Sequence, residues 1–228
     1  MKVVTKNLKS NEIQIPANNV IVQIKHKYNR AVGKIAKLAA IQQHSSVDPA
    51  NFVNIFGTVV SVPMQISNDR TYNDFSKHDI RVGDIAIFAY SVIYEFMQTE
   101  PEADPIYKNS FWWDGQEYWV VDIQKLYAVV RAGEIRMQNG YVMVEGMEQA
   151  ANIYLPQHIR KSVKTTTATL TQICNPVKGG KNIDCKPGDT VIFNPNILTT
   201  YRIDGKEDGE LKEFGILQQK HILGKISS

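Results

Sequence analysis

Five histidines and two cysteines are the side chains in this 228-residue sequence best suited to metal, acid-base or nucleophilic chemistry. His26, His44, His78, His158 and His221 stand apart, without the short spacings that bring two imidazoles onto one metal ion. Cys174 and Cys185 supply too few thiolates for a structural zinc site and form no Cys-x-x-Cys, so they read as free thiols in a reducing compartment. No Gly-x-Ser-x-Gly nucleophile elbow occurs. The glycine pair of Lys178-Gly-Gly-Lys181 lacks both the leading glycine of a phosphate loop and the hydroxyl that would hold magnesium. The expectation is a protein with no catalytic residue, no cofactor and no metal. What remains is chemistry of contact. Ile153-Tyr154-Leu155 followed by Pro156 is an apolar triplet in a polar stretch from Glu148 to Thr167, suited to a partner's hydrophobic groove or to a short buried strand. Phe111, Trp112, Trp113, Tyr118 and Trp119 crowd around Asp114-Gly115. Such a group can stack on sugars or bases, or pack across a strand pair and into a neighbouring subunit.

These groups have to be positioned by a fold, and composition narrows the choice. Hydrophobic residues make up 43% and charged residues 21%, the balance of an ordinary globular chain. A formal net charge of +3 is too small to indicate a nucleic-acid or membrane-surface protein. Lysines occur at the start of the sequence without an apolar core of signal-peptide length, and no apolar run approaches the ~18 residues of a membrane span. A soluble, cytoplasmic protein is expected. Short runs rich in Val, Ile, Thr and Tyr, separated by Gly, Pro, Asn and Asp, predict strands at 20–24, 57–62, 84–90, 117–121, 126–130, 141–144, 167–173, 190–193 and 211–216. The fold class is therefore all-β. Arg30 to Gln43 alone has helical spacing, and a long loop is the competing reading there.

Several patterns occur twice in the same order. Val20-Ile-Val-Gln-Ile24 answers to Tyr141-Val-Met-Val-Glu145, and Gly57-Thr-Val-Val-Ser-Val62 to Ala168-Thr-Leu-Thr-Gln-Ile173. Val82-Gly-Asp-Ile-Ala-Ile-Phe88 answers to Pro187-Gly-Asp-Thr-Val-Ile-Phe193, and Gln124-Lys-Leu to Gln219-Lys-His. The chain is read as two tandem domains, 14–132 and 133–228. Each Gly-Asp suits a tight turn, the glycine taking an unusual backbone angle and the aspartate bonding nearby amides. Asp114-Gly115 has the residues of a two-residue hairpin turn, with Asp204-Gly205 in the comparable place.

In this order the residues resemble the GroES family of co-chaperonins, most strongly in the second half. Tyr141-Val-Met-Val144 is similar to the family's first strand, and Asn152-Ile-Tyr-Leu-Pro156 to the tip of its mobile loop. Lys186-Pro-Gly-Asp-Thr-Val-Ile-Phe193 is similar to its Gly-Asp strand, and His221-Ile-Leu-Gly-Lys-Ile226 to its closing strand. The resemblance implies two tandem GroES-like β-barrels with long loops: a divergent one at 25–55 and a mobile-loop candidate at 147–166. It implies a non-enzymatic ring subunit, a homo-oligomer that caps an ATP-driven, GroEL-like chaperonin through Ile153, Tyr154, Leu155 and Pro156. Ile35, Leu38, Trp112 and Trp113 are weaker partner-contact candidates. The alternative is a structural ring or connector built from the same barrels, for example in a virus particle. The dehydrogenases that carry a GroES-like domain also need a Gly-x-Gly-x-x-Gly dinucleotide unit, which this sequence lacks.

Overall fold

The computed structural model describes residues 18–25, 53–63, 79–93, 109–149, 166–174, 183–194, 198–204 and 211–226. Thirteen strands run through them. β1 (Asn19–Gln23), β2 (Phe56–Ser61), β3 (Ile85–Phe88), β4 (Ser110–Trp113), β5 (Gln116–Asp122), β6 (Leu126–Arg131) and β7 (Glu134–Met137) form one sheet, in the order β4-β5-β1-β2-β3-β6-β7. A second sheet holds β8 (Tyr141–Gln149), β9 (Thr166–Ile173), β10 (Thr190–Phe193), β11 (Thr199–Asp204), β12 (Leu211–Gln218) and β13 (Ile222–Ile226), in the order β11-β12-β8-β9-β10-β13. The fold is all-β with two antiparallel sheets, as the β-branched and aromatic runs predict. The predicted helix at 30–43 lies outside the described residues.

Each sheet has its own core. Val20, Val22, Val59, Phe88, Trp119, Val121 and Leu126 pack together in the first; Val142, Val144, Leu170, Val191, Phe193 and Leu217 pack together in the second. Burial of one such large side chain contributes ~1.5–3 kcal/mol, so each cluster can hold its own sheet.

Strand for strand the two sheets share one order, with no counterpart of β7 among the described residues of the second. The likeness extends to irregularities. The β1–β2 ladder shifts register between Ile21 and Val22, and the β8–β9 ladder between Met143 and Val144. The β3–β6 ladder shifts between Ile87 and Phe88, and the β10–β13 ladder between Ile192 and Phe193. A bulge costs ladder bonds and re-aims the strand, so matching bulges mark equivalent positions. Two of the sequence equivalences move by one residue. Ile123 N donates to Asn18 O at 2.8 Å and Gln219 N to Gly140 O at 2.8 Å, which pairs Val20 with Val142 rather than with Tyr141, and Gln124 with Lys220 rather than with Gln219.

By contacts the chain divides into two compact units, residues 1–135 and 136–228. The boundary expected between 132 and 133 falls inside the turn from β6 to β7, where Ala132 (φ 51°) and Gly133 (φ 82°) both take left-handed angles. Hydrogen bonding carries the first sheet on to Met137. The signal for β7 was Asn139-Gly140, a strong turn dipeptide at φ 55° and 71°, where Tyr141 N bonds Gln138 O at 2.9 Å.

Candidate partner-binding site

Ile153, Tyr154, Leu155 and Pro156 lie outside the described residues, as do Ile35 and Leu38. The strands that hold the first group are described. β8 and β9 stay paired from Val142 opposite Ile173 to Gln149 opposite Thr166. The mobile-loop candidate at 147–166 is therefore too long at both ends: 147–149 belong to β8 and 166 to β9, leaving 150–165 between the strands. The error has a physical source. Beyond Ala168 and Val144 the ribbon is mostly polar and reads as loop, with Met147 alone among its described side chains packed in part against the core. Two features let it continue as a strand pair: a register shift between Glu145 and Glu148, and Gly146 at φ 63° within it.

Trp112 and Trp113 lie among the described residues. They end β4, at one side of the first sheet, with side chains 70% and 48% exposed. Asp114 (φ 48°) and Gly115 (φ 75°) close the hairpin to β5 as the two-residue turn the sequence predicts, with Trp113 opposite Gln116 and Trp112 opposite Glu117. Successive strand residues face opposite ways, so the two indoles display apolar surface on both faces of the hairpin. The remaining aromatics of the group do pack. Phe111 stacks on Tyr118 with ring centroids 5.7 Å apart, and Trp119 is 1% exposed in the core. Burial, and secondarily the Asp114 charge, raise the Tyr118 pKa, keeping its hydroxyl protonated as it meets Gln116 Oε1 at 3.1 Å. The second hairpin repeats the stack with Tyr201 and Phe214, also at 5.7 Å.

The Gly-Asp turns do what the sequence assigns to them. Gly83 (φ 93°) and Gly188 (φ 98°) take the left-handed angle. Asp84 Oδ2 accepts from Arg81 N at 2.8 Å and Asp189 Oδ2 from Lys186 N at 3.0 Å. Sequence reasoning missed the cations behind them. Arg131 Nε and Nη2 bond Asp84 Oδ1 and Oδ2 at 2.8 and 2.7 Å, while Nη1 reaches Asp79 Oδ2 at 2.9 Å. In the second unit Lys225 Nζ lies 3.8 Å from Asp189 Oδ2 and donates to Asp184 O at 2.7 Å. The fork of Arg131 fits a carboxylate in a way an ammonium cannot. Asp79 and Asp184 stand five residues before their turn aspartates, and that repeated spacing was the available signal.

No family model matches the chain, and no curated protein matches it. The site must be read from its own chemistry. Among the described residues there is no group of three or more His, Cys, Asp or Glu side chains that could hold a metal ion. Cys174 and Cys185 are free thiols whose pKa values are raised, chiefly by burial, which disfavours the reactive thiolate. No helix of the described residues is long and apolar enough to cross a membrane. The surface instead offers apolar contact at the Trp112-Trp113 hairpin and a paired ribbon that delivers 150–165.

Proposed function

We propose that this chain is a non-enzymatic, co-chaperonin-like ring subunit: two GroES-like barrels in tandem that cap an ATP-driven, GroEL-like chaperonin from the cytoplasm. The observation that carries the reading is the twofold recurrence of one strand order with the same bulges and the same Gly-Asp turn, together with the β8–β9 ribbon leading to Ile153-Tyr154-Leu155-Pro156. In this reading the triplet enters a hydrophobic groove of the chaperonin, and ATP is hydrolysed by the partner.

Magnitudes favour a ring. Ordering about ten loop residues costs ~10 kcal/mol. Burial of three large side chains returns only ~5–9 kcal/mol, so one loop binds weakly. Several loops on one ring convert later contacts into intramolecular events, giving an affinity that nucleotide-driven movement can still reverse. Co-sedimentation with a double-ring bacterial-type chaperonin tests the reading: binding is expected with ATP and not without it. Ile153→Ser with Leu155→Ser should abolish that binding while the sheets stay folded, and unchanged binding would remove the loop assignment.

A structural ring or connector, for instance in a virus particle, is the second reading. The large apolar exposure of Trp112 and Trp113 favours it, because permanent contacts cover such surface. Recovery of the protein free in the cytoplasm and its absence from particles would dispose of that reading.

A further inference from the structure

β4 ends the first sheet, and nothing among the described residues lies along its outer side. Its ladder with β5 shows which main-chain groups are left over. Val120 N donates to Asn109 O at 2.6 Å, so these two residues form a hydrogen-bonded pair. Such pairs alternate in an antiparallel ladder. Phe111 and Trp113 therefore bond to β5, while the N–H and C=O groups of Ser110 and Trp112 point away from it. A free edge of this kind is a template for another strand.

The two faces of that edge differ in chemistry. Residues opposite each other across the pair share a face, which puts Ser110, Trp112 and Glu117 on one side and Phe111, Trp113, Gln116 and Tyr118 on the other. The first side offers an exposed indole beside a carboxylate, a setting for a cation; the second continues the Phe111–Tyr118 stack and suits an apolar side chain. Charge points the same way. From 109 to 122 the sequence has Asp114, Glu117 and Asp122 and no lysine or arginine, and Lys25 follows β1, two strands from β4. Asp114 Oδ2 is buried with no hydrogen-bond donor among the described residues, which leaves its charge uncompensated. The second sheet's edge is different: the matched aromatic stacks equate Tyr201 with Phe111, so β11 has Arg202 where β4 has Trp112. We infer that β4 takes an extended segment of a partner protein as an added strand, one in which lysine or arginine alternates with apolar residues. Main-chain bonds to Ser110 and Trp112 supply the pairing, cations lie over Trp112 beside Glu117, and apolar side chains lie against Phe111 and Trp113. The contact goes beyond the chaperonin reading and needs no chaperonin.

Full-length protein and a synthetic hexapeptide alternating arginine with valine test it. Residues opposite Ser110 and Trp112 share their face, so the arginine amides turn toward β4 and the valine amides away from it. In the free protein the Ser110 and Trp112 amides should exchange with solvent quickly, while those of Phe111 and Trp113, bonded to β5, exchange slowly. The peptide should slow exchange at Ser110 and Trp112 and shift tryptophan emission to the blue. Methylating the valine amides should leave binding in place, and methylating the arginine amides should abolish it. Trp112→Ala should weaken binding about tenfold. No added protection at Ser110 and Trp112, or equal binding by the arginine-methylated peptide or by one with glutamate in place of arginine, would overturn the inference. So would protection in the free protein that grows with its concentration, which would put a second copy of this chain on the edge.

Discussion

Asp84 joins a turn to a neighbouring strand through several bonds on one carboxylate. Its carboxylate is 3% exposed, caps the turn through Arg81 N and receives two bonds from Arg131. Burial pushes its pKa up, but the Arg131 hydrogen bond, the Arg81 amide and the Arg131 charge together outweigh burial and the Asp79 charge, so the value sits below 3.8. A folded-state value below the unfolded one stabilises at every pH above the unfolded value and loses that contribution as pH falls through the folded one. Asp84→Asn should therefore flatten the acid limb of the stability profile below about pH 4. Asp84→Ala should cost about 2 kcal/mol in chemical denaturation, since it removes a buried acceptor from several donors. Asp189→Ala should cost about 1 kcal/mol, because Lys225 stands 3.8 Å away without the fork geometry. Equal costs would mean that the Arg131 fork adds nothing. The turn aspartates were legible because Gly-Asp before an apolar run is a local signal. Arg131 was not, since its partner lies 47 residues away.

At the scale of elements, the repeated hairpins and turns carry their own strain and packing. Ala132 sits at φ 51°, where a side chain crowds the following carbonyl. Ala132→Gly should raise stability by about 1 kcal/mol, read as a higher denaturation midpoint; a lower midpoint would mean that the β6–β7 turn needs the methyl group. The cores are filled differently at one equivalent position. Trp119 pairs with Val22 in β5–β1, and Gly215 pairs with Val144 in β12–β8. A Cβ on Gly215 would come within 2.6 Å of Leu198 Cδ1 and 3.1 Å of Val144 Cγ2, so Leu198 fills part of the space that an indole fills in the first core. Gly215→Val should cost ~1–3 kcal/mol by overpacking, and Leu198→Ala should recover part of that loss in a double-mutant cycle. Independent, additive effects would show that the two residues do not share the space. Nine of the strands were readable because alternation and β-branching are local; β4, β11 and β13 were indicated only by a hairpin turn or by the family likeness, and β7 was not expected at all. Strand ends were less so: β8 and β9 continue to Gln149 and Thr166 through mostly polar residues, of which Met147 reaches the core.

For the molecule as a whole, the question is which surfaces are covered when it works. Trp112 and Trp113 are exposed and Trp119 is buried, so the isolated chain should show two quenchable indoles and one protected. A permanent structural ring would shield the exposed pair in the assembled particle and shift the emission to the blue. A co-chaperonin bound through 150–165 would leave both open to acrylamide with the chaperonin present. Replacing both by alanine should change stability by no more than about 0.5 kcal/mol, as for other exposed positions, while weakening any contact they make.

The all-β class, the patterns that recur twice in one order and the glycine turns are legible in the order of the amino acids alone. Each of these depends on side-chain period, on turn chemistry or on short spacings along the chain. Tertiary structure decided what depends on pairing across distance: the common strand order of the two sheets, the one-residue corrections in their equivalence and the Arg131 fork on Asp84. It also decided that β6 pairs with β7 on the side where, among the described residues, nothing pairs with β13. A strand's partner is set by register and by the surface it covers, and neither is written in the strand alone.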